Sequence, residues 1–97
     1  MVELLITVKE IKGQCDVHKV GDRIVIEGPE INLEKSDKVC IHALSPILHY
    51  AVALREGMDP VKLGLAKQGN KAYIQCPDSG EPYTGGGRVV FEIERIE

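Results

Sequence analysis

The stretch VELLITVK, residues 2–9, decides the fold class of this 97-residue chain. It places an apolar side chain at every second position from Val2 to Val8, which is the period-two pattern of a strand with one buried face. The next apolar residue, Ile11, lies one position out of phase. We therefore expect a β-bulge near Lys9–Glu10, because one extra residue would restore the register.

Three further strands are predicted on the same grounds. Arg23–Glu27 alternates and is closed by Gly28-Pro29, Lys71–Cys76 is ended by Pro77, and Arg88–Glu97 alternates through Phe91. Ile96 is again one position out of phase, so a second irregularity is expected near the end of the last strand. Residues 77–87, which contain three consecutive glycines, have the composition of a loop.

Two helical segments are predicted between the second and third strands. Ser36 or Asp37 is expected to cap the first, because short polar side chains satisfy the free N–H groups of a helix start. Pro46 cannot continue that helix without a kink, but it favours a new start that runs to Glu56. One more short helical turn is expected over Val61–Leu65.

The order β-β-α-α-β-β predicts one α+β domain over residues 1–97. We expect a small, mainly antiparallel sheet of about four strands with the kinked helical segment on one face. The first two strands should be antiparallel neighbours because their connection is short. The two suspected bulges also allow the sheet to curl into an open barrel, since bulges bend strands.

Composition and charge exclude several classes of function. Twelve Lys and Arg against fifteen Asp and Glu give a net charge of −3, so a broad basic nucleic-acid interface is not expected. No apolar run approaches the roughly 18 residues that a membrane span needs. The apolar stretch at the N-terminus is too short and too interrupted by charged residues for a signal peptide. The sequence therefore predicts a cytoplasmic protein.

Three cysteines, Cys15, Cys40 and Cys76, stand far apart in the sequence. A disulfide framework is not expected from an odd number of thiols in a reducing compartment. Cys15-x-x-His18 can present sulfur and nitrogen to one metal ion, and Cys40 and Cys76 would complete a Cys3His set suited to zinc. This spacing matches no standard zinc knuckle.

Other interpretations of the same residues stay open. All three thiols can be inert core side chains, since cysteine packs as a small hydrophobe. Cys15 can instead be a reactive thiol in an enzyme or redox protein, with His18 beside it. The chain can also be an interaction module, including a homodimer formed through an exposed strand edge.

Neighbouring polar residues suggest supporting roles. Asp16, Asp22 and Asp78 can orient a ligating histidine, although turn chemistry accounts for them more simply. His42 is a poor substitute for Cys40, because residues two apart on a regular helix point to nearly opposite sides.

The segments Lys12–Asp22, KGQCDVHKVGD, and Gln75–Asp78, QCPD, resemble a family of small uncharacterised archaeal and bacterial proteins of about this length. That family has an early Gly-x-Cys…Gly-His-x-x-Gly-Asp segment, a helical segment with Cys and Pro, and Cys-Pro-Asp before the last strand. The matching residues here are Gly13, Cys15, His18, Gly21, Asp22, Cys40, Pro46, Cys76, Pro77 and Asp78. This chain lacks the glycine before its histidine and has a shorter Cys–His spacing. The resemblance implies a shared site and no particular reaction.

Overall fold

A computed structural model describes residues 2–97, and Met1, the first residue of the predicted domain, lies outside the described part. Within that part the strands and the helix follow in the order β-β-β-α-β-β. Their bounds are β1 Glu3–Lys12, β2 Arg23–Glu27, β3 Glu30–Ile31, α1 Ile41–Arg55, β4 Lys71–Gln75 and β5 Arg88–Ile96.

The strands form one antiparallel sheet in the order β3-β2-β1-β5-β4. The first and last strands therefore pair at its centre, where Ile6 lies opposite Ile93. Lys9 is left without a partner between the pairs Val8–Phe91 and Glu10–Val90, so the bulge expected in the first strand is confirmed. No second bulge interrupts β5, whose pairing with β1 continues to Ile96.

One face of the sheet carries the core and the other faces solvent. Leu4 and Ile6 of β1 are buried with Ile47 and Leu54 of α1 in a single apolar cluster. The outer face is polar, and there Glu92 lies near two lysines and accepts a hydrogen bond from a tyrosine. This is the pattern of an antiparallel sheet with one solvated side, and the sheet is open rather than closed into a barrel.

The expectation of two helical segments was wrong, because one helix runs from Ile41 to Arg55 and contains Pro46. Ser36 and Asp37 do not cap it. Instead, Ser36 Oγ accepts a hydrogen bond from Val25 N at 2.9 Å, and Asp37 Oδ2 accepts one from Arg23 N at 2.8 Å. Both side chains thus serve the free edge of β2, and the helix begins later.

The helix continues through Pro46 because its buried side holds it against the sheet. Ala43, Ile47, Ala51 and Leu54 are buried along one face at helical spacing. Proline removes one backbone hydrogen bond, whereas losing this face would expose several apolar side chains.

The count of four strands was also wrong. Gly28-Pro29 reverses the chain, so that Glu30 and Ile31 pair with Glu27 and Ile26 as a short fifth strand. Where a short helical turn was expected over Val61–Leu65, the chain forms hydrogen-bonded turns at residues 60–64, and Leu63 N donates to Asp59 O at 3.2 Å.

Both sheet edges are limited as docking surfaces for a second copy of the chain. β3 has two residues, and on β4 the N–H of Tyr73 already donates to Leu65 O at 2.8 Å. The homodimer stays a prediction. Across residues 2–97 the structure contains no helix of the length and apolar character that a membrane crossing requires.

Candidate functional site

The four residues predicted as metal ligands, Cys15, His18, Cys40 and Cys76, line one cavity of about 260 Å³. They come from three separate parts of the chain, namely the β1–β2 connection, the start of α1 and the end of β4. These parts meet at one end of the sheet. The fold therefore brings together every thiol of the chain and the imidazole of His18.

The β1–β2 connection holds Cys15 and His18 in a tight turn. The backbone N–H of His18 donates to Cys15 Sγ at 3.4 Å. Farther along, Gly21 N donates to Val8 O at 2.9 Å and Val8 N to Asp22 O at 2.9 Å, which ties the connection to β1. The sulfur of Cys15 is thereby held against the backbone of His18.

His18 is the one buried polar side chain of the described residues, with 3% of its surface exposed. Its ring meets Phe91 edge to face, with 5.3 Å between the centroids. Neither ring nitrogen has a hydrogen-bond partner within residues 2–97. Leaving a buried polar group unsatisfied costs about 1–3 kcal/mol, so a partner at either nitrogen would stabilise the protein.

Burial lowers the pKa of His18 below its ordinary value, and the nearby charge of Asp22 opposes that shift only in part. The ring is therefore held in its neutral form near pH 7. Neutral imidazole has a free lone pair, which is what a metal ion or an acidic proton requires.

Cys76 closes the cavity where β4 and β5 separate. Its thiol is buried, accepts a hydrogen bond from Val89 N at 3.3 Å and approaches Gly87 O at 3.6 Å. Its own N–H donates to Val89 O at 3.1 Å. These contacts fix the sulfur in place. Cys15 and Cys40, in contrast, are only partly buried.

Cys40 is the residue that immediately precedes α1, and its backbone is extended, with φ −83° and ψ 130°. No side chain caps the helix there. Because Cys40 lies outside the helical geometry, both it and His42 line the cavity. The prediction that His42 points away from the site of Cys40 holds only for two residues of one regular helix, and Cys40 precedes the helix.

Asp78 also lines the cavity, at the beginning of the 77–87 loop. Its carboxylate accepts hydrogen bonds from Thr84 Oγ1 and from Gly80 N, the latter at 2.9 Å. These two bonds, with the charge of His42 as a smaller cause, lower the pKa of Asp78. The loop is thus organised around an ionised carboxylate.

Two glycines of the triplet allow the 77–87 loop to pack closely against the β1–β2 connection. A Cβ at Gly87 would lie 2.7 Å from both the N and the O of Gln14, and a Cβ at Gly86 would collide with the Asp78 carboxylate. The triplet therefore provides close backbone approach, which places Cys76 and Cys15 on walls of the same cavity.

The charge of the lining favours a cation. Asp16 and Asp78 line the cavity together with the three thiols and two imidazoles, and none of the described lining residues is Lys or Arg. The carboxylates attract positive charge, and the sulfurs favour a soft or borderline ion.

The side chains do not form a finished coordination sphere. Among residues 2–97, no three side chains of His, Cys, Asp or Glu are arranged as a group that could hold a metal ion. Zinc requires sulfur at about 2.3 Å and nitrogen at about 2.0–2.1 Å. Metal binding would therefore have to draw the ligands inward.

Comparison with known proteins gives no assignment, since no family model, curated protein or solved structure matches the chain. The resemblance to the small archaeal and bacterial family stays a prediction.

Proposed function

We propose that this protein is a small metal-binding module that holds a thiophilic divalent ion such as zinc through Cys15, His18, Cys40 and Cys76. The observation that carries the proposal is the environment of His18. This buried imidazole lacks a partner at both nitrogens and lines the same cavity as all three thiols. Coordination would remove the cost of that unsatisfied nitrogen, and four such ligands suit a tetrahedral ion.

The ligands divide into a fixed pair and an adjustable pair. His18 and Cys76 are buried and packed, whereas Cys15 and Cys40 are partly exposed. Rotation of these two side chains is the smallest change that would contract the set around an ion. Cys40 also precedes the helix, and its N–H donates no helical hydrogen bond. Rotation of its side chain therefore breaks no such bond.

Zinc titration of untagged protein tests the proposal. We expect one ion per chain, release of protons as thiols deprotonate, and protection of the thiols from a thiol reagent until a chelator is added. Cys76→Ser and His18→Gln should weaken binding strongly. His49→Gln is the matched control, because His49 does not line this cavity. A folded wild-type protein that takes up no ion, with thiols that react identically before and after chelation, would refute the proposal.

A second candidate function is thiol chemistry at Cys15, favoured by the hydrogen bond from His18 N to its sulfur. That bond orients the Cys15 sulfur, and Cys15 is more exposed than Cys76. It predicts that an alkylating reagent labels Cys15 faster than Cys40 and Cys76 at neutral pH in metal-free protein. Equal, slow labelling of all three thiols would contradict this candidate and leave the interaction module with inert thiols.

A further inference from the structure

The solvent side of α1 is apolar and carries no charged side chain. Residues 41–54 contain no Asp, Glu, Lys or Arg, although 28% of the chain is charged. Ile41 is 78% exposed, and Leu48 and Val52 expose more than half of their surface. Their spacing of seven and four residues places them on one stripe, opposite the face that packs on the sheet. A surface helix normally presents charged residues on this side, so the stripe has the character of a contact surface.

The stripe contains both a projecting side chain and a recess. Four exposed residues follow the spacing i, i+3, i+4 and i+7, namely Ser45, Leu48, His49 and Val52. Four residues at this spacing form the hole that receives one side chain of a facing helix. Ile41 projects about one turn before them. One helix face thus carries a knob and the hole that fits a knob.

A groove beside the stripe extends this surface. It has a volume of about 110 Å³ and lies between α1 and the β2–β3 hairpin. Its apolar lining includes Pro29, Ile31, Leu48 and Val52. Arg55 and Glu30 are its charged lining residues, so neither sign of charge is in excess.

We infer that this face of α1 is the contact surface of a homodimer, in which a second copy packs antiparallel across a two-fold axis near Ser45. A two-fold interface requires a patch that is complementary to itself, and the knob and the hole meet that requirement on one helix. Ser45 lies about midway between Ile41 and the centre of the hole, so an axis there inserts each Ile41 into the hole of the partner. Each chain has a net charge of −3, and contact through a charge-free face avoids opposing like charges.

The length of the stripe sets the strength of the dimer. From Ile41 to Val52 the helix advances about 17 Å. A stable interface buries about 800 Å² on each partner, and one helix face of this length with its adjoining groove is small by comparison. We therefore expect a weak dimer that forms at high protein concentration and dissociates on dilution. The inference does not rest on the proposed metal site.

Sedimentation equilibrium of the full chain, with a chelator and a thiol reductant present, tests the inference independently of metal and of disulfides. We expect the mean mass to rise from 10.7 kDa toward twice that value between about 10 µM and about 1 mM protein. Ile41→Lys should remain monomeric, because it would bury a charge in each hole. Val20→Lys is the matched control. It adds the same charge at an aliphatic residue that is 65% exposed outside α1, and it should dimerise like wild type.

A mixture of two variants tests the antiparallel arrangement. Val52→Glu alone should also be monomeric. Mixed in equal amounts with Ile41→Lys, it should form a 1:1 dimer, because the introduced lysine of one copy lies beside the introduced glutamate of the other. The second hole of that dimer keeps its native side chains.

Three results would overturn the inference: wild-type protein that stays monomeric at about 1 mM, a dimer that Ile41→Lys leaves intact, or a mixture that stays monomeric. The second result would assign the dimer to another surface, such as a strand edge. Vesicles of phosphatidylcholine and phosphatidylglycerol provide a further test. Monomeric wild-type protein that binds them, with binding lost in Ile41→Lys, would assign the face to a lipid surface and likewise overturn the inference.

Discussion

The imidazole of His18 stands at 88° to the ring of Phe91, with 5.3 Å between their centroids, and packs in the core like an aromatic hydrocarbon. Its two nitrogens nevertheless lack partners within residues 2–97. At this position the ring packs well, but its unsatisfied nitrogens cost stability. The net effect on the free energy of unfolding can be measured.

Replacing His18 with leucine should stabilise the metal-free protein. The substitution removes two unsatisfied nitrogens and sacrifices one edge-to-face contact, so we expect a gain of about 1 kcal/mol in the free energy of unfolding. Urea denaturation in the presence of a chelator measures it. Destabilisation by 2 kcal/mol or more would mean that the imidazole is satisfied in solution, for example by water.

The stability of the metal-free protein should fall as the pH drops below the ordinary histidine pKa of about 6.5. Burial lowers the pKa of His18 in the folded state, so between that lowered value and about 6.5 the unfolded chain binds more protons. Stability is therefore full above pH 6.5 and is lost progressively below it. His18→Leu should flatten this dependence in urea melts between pH 7 and 5, and an equally steep profile in that variant would exclude His18 as its source.

Removal of the Cys76 thiol should destabilise the fold even without metal. In Cys76→Ala, the buried N–H of Val89 loses the sulfur that accepts its hydrogen bond, which costs about 1–3 kcal/mol. Cys40→Ala is the matched control, because that thiol is partly buried and should cost under about 1 kcal/mol. Equal losses in the two variants by chemical denaturation would contradict the structural role of Cys76.

Substitution in the glycine triplet should depend sharply on position. Gly87→Ala forces a Cβ against the backbone of Gln14 and Lys12, where neither chain can yield cheaply, and we expect a loss of about 1–3 kcal/mol. Gly85→Ala places its Cβ in open space and should stay within about 0.5 kcal/mol of wild type. Thermal melts of the two variants measure these changes in stability. If Gly87→Ala were as stable as wild type, the loop would not pack against the β1–β2 connection.

Zinc should raise the stability of the protein by mass action. At a free concentration one hundred times the dissociation constant, an ion that binds only the folded state adds about 2.7 kcal/mol. For a chain of this size that corresponds to an increase in melting temperature of about 10–20 °C. Magnesium at the same concentration is the control, since it prefers oxygen ligands. Equal shifts with both ions would indicate a nonspecific effect.

The long strands could be predicted because their pattern is local. Alternation alone located β1 and β5, and one out-of-phase residue, Ile11, indicated the bulge at Lys9. The start of the helix could not be predicted in this way. Ser36 and Asp37 have the chemistry of helix caps, but their side chains accept hydrogen bonds from the backbone of β2 instead.

The sequence predicted which residues line the candidate site better than it predicted how they are arranged. Cys15 and His18 lie in the β1–β2 connection, Cys40 just before α1 and Cys76 just after β4, and the fold gathers these segments. The contribution of His42 depends on the extended backbone of Cys40, and the isolation of the His18 ring depends on burial by Phe91. Both are tertiary effects without a sequence signal.

The position of β5 between β1 and β4 has a consequence for biosynthesis. While the ribosome is still translating residues 88–96, β1 has a partner on one side only, and β4 has no strand beside it. The nascent chain therefore carries an incomplete sheet with apolar residues such as Ile6 uncovered until that segment emerges. The fold can be completed only after residues 88–96 have left the ribosome, and the earlier chain is the form that chaperones would meet.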